Sequence, residues 1–256
     1  MKFLCLHGSY GSAKGNQNFQ VQLAPFIEEV EKSTPGRFLW IDGFHPITPP
    51  DGFENYFGTP PLYKFIEQDG VSGLNNFVDK LRDFPSADGP ENTVRALLKG
   101  QEFYTGPCVK RCIDRILQLI ADDPEIEGIL GYSEGAMTAA TLILEEKRRF
   151  EELGTPRRIK CGIFFSGWPP VALRGEDRVE CLLADECEDM IDIPTCHIVG
   201  CKDPYIHGAM ALYDMCDPDM AELFDHGKGH TLPRDTMTIG ELASSVNQVM
   251  SKVVAA

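Results

Sequence analysis

The stretch Gly128-Ile129-Leu130-Gly131-Tyr132-Ser133-Glu134-Gly135-Ala136 sets one hydroxyl between two glycines, where an apolar run stops and a helical pattern starts. The run Gly128 to Gly131 reads as a strand, and Ala136 to Phe150 has the periodicity of a helix. A serine at the tip of a strand-to-helix turn needs unusual backbone angles and neighbours without side chains. Gly131 and Gly135 are expected to supply that freedom. The turn would present the Ser133 hydroxyl above a sheet, at the N-terminus of a helix whose dipole favours negative charge. Such a turn is a nucleophile elbow. The plainer alternative is a packing turn with a capping serine; the strand before and the helix after favour the elbow.

Outward from this point the chain repeats one rhythm. Strand candidates are Lys2 to Leu6, Phe38 to Asp42, Gly128 to Gly131, Cys161 to Ser166, Cys196 to Gly200 and Ala221 to Asp225. All are nearly apolar throughout, as strands buried on both faces must be. Amphipathic stretches lie between them: Phe19 to Lys32, Val109 to Ile120, Ala136 to Phe150 and Ile239 to Val253. The alternation predicts one α/β domain over 1–256, a mainly parallel six-stranded sheet with helices on both faces. Chemistry in such sheets gathers beyond the carboxyl ends of the strands.

A serine needs a base, and the base needs an orienting carboxylate. In this topology they follow in the order Ser, Asp, His, each just past a strand. Asp203, in "PTCHIVGCKDPYI", follows the fifth strand; Asp185, Asp189, Asp192 and Asp217 are its rivals, and none has its "Gly-Cys-Lys-Asp" setting at a strand end. His230, in "ELFDHGKGHTLP", follows the sixth. His197 lies inside a strand, His45 precedes the serine, and His207 is too near Asp203 to meet it across a loop. His226 is the real rival. His230 is preferred because Gly227 and Gly229 let its loop fold back over the sheet.

Acyl chemistry also needs donors for a developing oxyanion. One is expected from the N–H of Glu134, the other from the N–H of Ser9 in "LHGSYGS", with Tyr10 as fallback; His7 more plausibly braces that loop. The same loop is glycine-rich enough to suggest a phosphate cradle. It lacks both G-x-G-x-x-G and the Lys-Ser/Thr of a Walker loop.

Composition removes other classes. Net charge is −15, from 39 acidic and 24 basic residues, which would repel a phosphate backbone. No apolar run approaches the roughly 20 residues of a membrane span. The N-terminus enters a strand directly, with no room for a signal peptide. Nine scattered cysteines fit reduced thiols in a cytoplasmic protein. Cys108 and Cys112 lie one helical turn apart, but no second pair completes a metal site. No cofactor or metal is called for.

Taken together, "FLCLHGSYGS", "GYSEGA", "FFSGWPP", "VGCKDPYI" and "HGKGHTLP" resemble the family serine hydrolases of the α/β-hydrolase fold. That group includes fungal thioesterases and esterases beside polyketide synthases and a human serine hydrolase associated with ovarian tumours. The resemblance runs from residue 1 to about 250 and implies a Ser133–Asp203–His230 triad. One departure is local: Lys228 stands where members often carry the first glycine of Gly-Gly-His.

The substrate must be sought in the connections. Residues 43–107 hold ten of the 24 aromatics, among them Phe53, Tyr56, Phe57, Tyr63, Phe65, Phe77, Phe103 and Tyr104. The Pro and Gly of their first half argue against regular structure. This segment is expected to cover the site and wall an apolar acyl pocket; many of its aromatics would simply anchor it to the core. A second cover piece is expected at 168–193. Trp168, Tyr10 and Tyr132 are candidate substrate contacts. Together with the resemblance this predicts a thioesterase releasing a polyketide or fatty-acyl chain, with an acyl carrier domain as the candidate partner. The alternatives are a carboxylesterase on free esters and a binding protein that has lost turnover. A carrier is typically acidic, and the best basic cluster (Lys147, Arg148, Arg149, Arg157, Arg158 and Lys160) belongs to the far end of the helix that Ser133 begins. The blander role for that cluster is to complement the helix C-terminus. The helix Ile239 to Val253 could support a homodimer, though nothing in the sequence selects one.

Overall fold

The computed structural model describes residues 1–13, 18–33, 36–49, 57, 60–67, 87–99, 104–175 and 177–255. Strand β1 (Lys2–Leu6) leads through helix α1 (Phe19–Glu31) to β2 (Arg37–Ile41). A ribbon of β3 (His45–Ile47) and β4 (Leu62–Lys64) follows, then α2 (Pro90–Leu98) and α3 (Gly106–Asp122). Next come β5 (Ile126–Tyr132), α4 (Glu134–Leu153) and β6 (Cys161–Phe165), with a second ribbon, β7 (Val171–Arg174) and β8 (Arg178–Cys181). The chain ends with β9 (Thr195–Val199), α5 (Ile206–Asp214), β10 (Ala221–Asp225) and α6 (Thr236–Ala255).

Six strands form the central sheet in the order β10-β9-β6-β5-β1-β2, every pair parallel. Each contains most of a predicted apolar run. In inner strands such as β1, β6 and β9 the runs are unbroken because consecutive residues face opposite cores, whereas the edge strand β10 alternates and leaves Leu223 exposed. Phe3 and Cys5 pack with residues of α1 and α6, while Leu4 and Leu6 join the core under α3 and α4. The chain goes outward from β1 to β2, then returns to the other side of β1 as β5. Strand order reverses there, so a crevice is expected beyond the carboxyl ends of β1 and β5.

Three helices run longer than their apolar pattern: 106–122, 134–153 and 236–255 against predicted 109–120, 136–150 and 239–253. The expectation of irregular structure after residue 43 needs correction. His45–Ile47 pairs antiparallel with Leu62–Lys64, placing Pro46 opposite Tyr63. A ribbon of two strands has open sides on which proline's missing donor does no harm. Later in that segment, Val94 and Leu98 of α2 cluster with Cys181, Leu183 and Trp168 of the 168–193 segment. Arg95 pairs with Asp185 at 2.7 Å and with Glu186, so the two segments are tied to each other. Phe53, Tyr56, Phe77 and Phe103 lie outside the described residues.

Candidate active site

Ser133 stands between β5 and α4 with φ 54° and ψ −117°, a conformation L-residues rarely adopt. Its N–H donates to the Phe165 carbonyl at 2.9 Å, and its own carbonyl accepts from the N–H groups of Ala136 and Met137 at 3.0 and 3.1 Å. The flanking glycines are the neighbours without side chains that the turn was expected to need. Neither Gly131 nor Gly135 has a positive φ; the unusual angle belongs to the serine. What they supply is room. A Cβ on Gly131 would lie 2.5 Å from the Cα of Ala136, and one on Gly135 would lie 2.2 Å from the Leu6 carbonyl oxygen.

Ser133 shares its strain with two others. Among the described residues, the non-glycines with positive φ are Tyr10 (59°), Ser133 (54°) and Ser166 (44°). They follow β1, β5 and β6, three neighbours in the sheet, at one carboxyl edge. Backbone strain of this kind concentrates where a fold builds a site.

The same edge receives the predicted acid and base. Asp203 is 3% exposed in the turn after β9; its N–H donates to the Gly200 carbonyl at 2.8 Å. Its Oδ2 lies 2.7 Å from Nδ1 of His230, and its Oδ1 accepts from the Tyr205 N–H at 2.8 Å. The loops that carry the pair are pressed together: Lys202 N–H donates to the Lys228 carbonyl at 3.0 Å, and a Cβ on Gly200 would lie 2.1 Å from that oxygen. Asp225, at the end of β10, accepts from the N–H groups of Cys201 and Gly227 at 2.9 and 2.8 Å. An imidazole whose Nδ1 is held by a buried carboxylate has Nε2 left for proton transfer. The His230 ring stacks on Tyr132, next to Ser133, at 5.2 Å between centroids. Among the described residues no hydrogen bond joins the Ser133 hydroxyl to that ring; such bonds often tighten only around a substrate.

The rival His226 is buried beneath the loop. Both its ring nitrogens are without a hydrogen-bond partner among the described residues, and burial lowers its pKa. His7 braces, as expected. Its Nδ1 lies 2.7 Å from the Gly8 carbonyl, while Nε2 accepts from the Gly43 N–H at 2.8 Å, which fixes a neutral tautomer. Burial lowers its pKa as well.

Gly8 to Gly11 form a turn closed by a 3.0 Å bond, with Ser9 and Tyr10 between, so the Ser9 N–H is not used by the turn. Glu134 opens α4, and the first N–H groups of a helix have no intrahelical acceptor. A Cβ on Gly8 would stand 3.1 Å from the Ser133 Cβ, so this turn lies beside the elbow. The Glu134 side chain, which sequence reasoning missed, links the two. Its carboxylate is buried and accepts from the Ser9 hydroxyl at 2.7 Å and the Ile66 N–H at 3.2 Å. Burial raises its pKa, and these bonds and Lys64 pull it back.

Of the candidate substrate contacts, Tyr10 is buried against Phe57, ring centroids 4.5 Å apart. Tyr132 lies between Phe19 and His230. Trp168 packs over α5; a Cβ on Gly208 would be 2.7 Å from its ring. The distant basic cluster is largely occupied. Arg149 pairs with Glu145 and Asp114, Arg148 with Glu145, Arg157 with Asp192 and Lys160 with Glu127. No base lies in the last turn of α4, so these residues meet carboxylates rather than complement the helix end. All nine cysteines are free, and among the described residues no group of His, Cys, Asp and Glu could hold a metal ion. No described helix is long and apolar enough to cross a membrane.

Known proteins are similar to this one over nearly the whole chain. An esterase of Fusarium mangiferae, FPY3, is 24% identical over 99% of both chains. The esterase FUS5 of Gibberella fujikuroi is 29% identical over 96% of this chain and 85% of its own. In three dimensions the fold is similar to that of the esterase PE8, an α/β hydrolase, with a TM-score of 0.53 at 17% identity over 97% of this chain and 92% of that one. The profile of the family described as "Serine hydrolase (FSH1)" matches residues 1–242, and the chain belongs to that serine hydrolase family.

Proposed function

We propose that Ser133, Asp203 and His230 are the catalytic residues of this hydrolase. The observation that carries the reading is the 2.7 Å contact between a buried carboxylate and an imidazole whose ring lies against the residue preceding a strained serine. His230 takes the Ser133 proton as the hydroxyl attacks an ester or thioester carbonyl, and the N–H groups of Glu134 and Ser9 hold the oxyanion. The imidazole passes its proton to the leaving alcohol or thiol. Water, activated by the same ring, then releases the acid.

The acyl group we propose is a polyketide or fatty-acyl chain held as a thioester, in a pocket walled by residues 43–107 and 168–193. The ties between α2 and the second segment support a continuous cover. A free ester is the second reading, favoured by the name esterase that the relatives carry. The free cysteines support a reducing, cytoplasmic setting. Paired bases and a net charge of −15 leave little visible attraction for an acidic carrier domain.

The test is a fluorophosphonate label followed by peptide mass spectrometry, with Ser133→Ala assayed on p-nitrophenyl esters and on acyl thioesters of graded length. An adduct at Ser133 and an inactive, folded variant are expected. Retained activity in Ser133→Ala would exclude the assignment, and faster turnover of free esters would select the second reading.

A further inference from the structure

We infer that Tyr132 and Tyr205 are positioning residues for His230. Between them they hold the imidazole on Asp203 through the proton transfers, and the Tyr132 ring favours the imidazolium formed on the way. The inference rests on the reading of Ser133, Asp203 and His230 as the reacting groups.

The geometry is two-sided. The Tyr132 ring stacks on the His230 ring at 5.2 Å with 30° between planes; the Tyr205 ring meets it at 4.8 Å and 80°. Each tyrosine is also tied to the site by a hydrogen bond. Tyr132 Oη donates over a long 3.4 Å to the His230 carbonyl, and the Tyr205 N–H donates to Oδ1 of Asp203 at 2.8 Å. The Phe19 ring, stacked 6.1 Å away against Tyr132, backs the clamp.

An imidazole tied at Nδ1 can still swing about that bond, and each swing carries Nε2 away from the serine. A stacked ring and a second ring set across it oppose the swing. When His230 takes the serine proton it becomes a cation whose centre lies within about 6 Å of an aromatic face, the range in which such a cation is attracted. Asp203 stabilises the same charge from the edge of the ring. Tyr132 therefore acts on both the place and the charge of the base.

The test compares Tyr132→Leu, Tyr132→Phe and Tyr205→Leu with the parent on a p-nitrophenyl ester between about pH 5 and 9, with an unfolding curve for each. Tyr132→Leu is expected to lose about tenfold in kcat while KM stays within about twofold. Leucine fills the space without a π-face, so it neither clamps the ring nor stabilises the cation. Tyr132→Phe, which keeps the ring, should recover most of the lost kcat. A folded Tyr132→Leu enzyme with parental kcat, or a Tyr132→Phe enzyme that recovers none of the loss, overturns the inference. Should Tyr132→Leu fail to fold, Tyr205→Leu decides: lowered kcat with KM held supports the clamp, and parental kcat overturns it. His230→Ala, run alongside, separates the two levels. If it stays active, the assignment of the base has failed; if it is inactive and the tyrosine variants are parental, only the clamp has.

Discussion

The Ser9 hydroxyl donates to Glu134 Oε2 at 2.7 Å, joining the turn after β1 to the first residue of α4. The bond binds together the two backbone segments whose N–H groups are proposed to hold the oxyanion. Glutamine at 134 keeps the N–H but offers one acceptor oxygen where Ser9 and Ile66 use two. An unsatisfied buried donor costs about 1–3 kcal/mol. Glu134→Gln is therefore expected to lose about tenfold in kcat/KM on a p-nitrophenyl ester while still folding. Parental turnover would show that this bond does not hold the turn in a productive place.

At Gly135 the constraint is contact with backbone, since a Cβ would lie 2.2 Å from the Leu6 carbonyl oxygen. No side-chain rotation relieves that, so β1 and α4 must separate. Gly135→Ala should lower stability by about 2 kcal/mol or more, read as the urea midpoint, and remove most activity. An unshifted midpoint would contradict the close packing of helix on strand.

The two histidines of the last loop should separate cleanly. His230→Ala is expected to cut kcat by about 10³-fold or more at nearly unchanged stability. His226→Ala empties a buried site and should cost about 1–3 kcal/mol of stability with kcat within about threefold. Equal losses of kcat would remove the basis for choosing His230.

Acid should weaken the fold through His197, fully buried in β9, whose pKa burial lowers to about 3. An unfolded histidine titrates near 6.5. The folded pKa is the lower one, so the stability from keeping the ring neutral is complete above pH 6.5 and is lost as pH falls from there toward 3. Between pH 6.5 and 5 that loss is about 2 kcal/mol. His7 and His226 act in the same sense; Glu134 and Glu146, whose pKa values burial raises, act oppositely. His197→Gln should flatten the fall in urea midpoint between pH 7 and 5. An unchanged slope would mean that this ring is not what acid attacks.

The central sheet was legible because strands covered on both faces leave uninterrupted apolar runs, such as Phe3-Leu4-Cys5-Leu6. The positions of Ser133, Asp203 and His230 past their strands followed from those runs. The ribbons were not legible: β3 and β4 have three residues each and are set by pairing with a distant partner, which no local pattern encodes. Glu134 read as an ordinary acid in a helix's first turn; that its side chain turns inward to Ser9 depends on residues 125 positions away. The glycines of the elbow were correctly located, as neighbours that must carry no side chain, while the unusual angle falls on the serine alone. Angle and clearance produce the same residue choice, and only coordinates separate them.

The left-handed backbones at positions 10, 133 and 166 bear on any attempt to make this protein withstand heat. Glycine would sit there with less strain than tyrosine or serine. A library ranked by melting point alone should therefore drift toward glycine, and at 133 that replacement discards the hydroxyl. With Ser133 as the proposed nucleophile, thermal robustness and turnover are in opposition at that one peptide unit, so a screen for durable variants has to score hydrolysis in the same well.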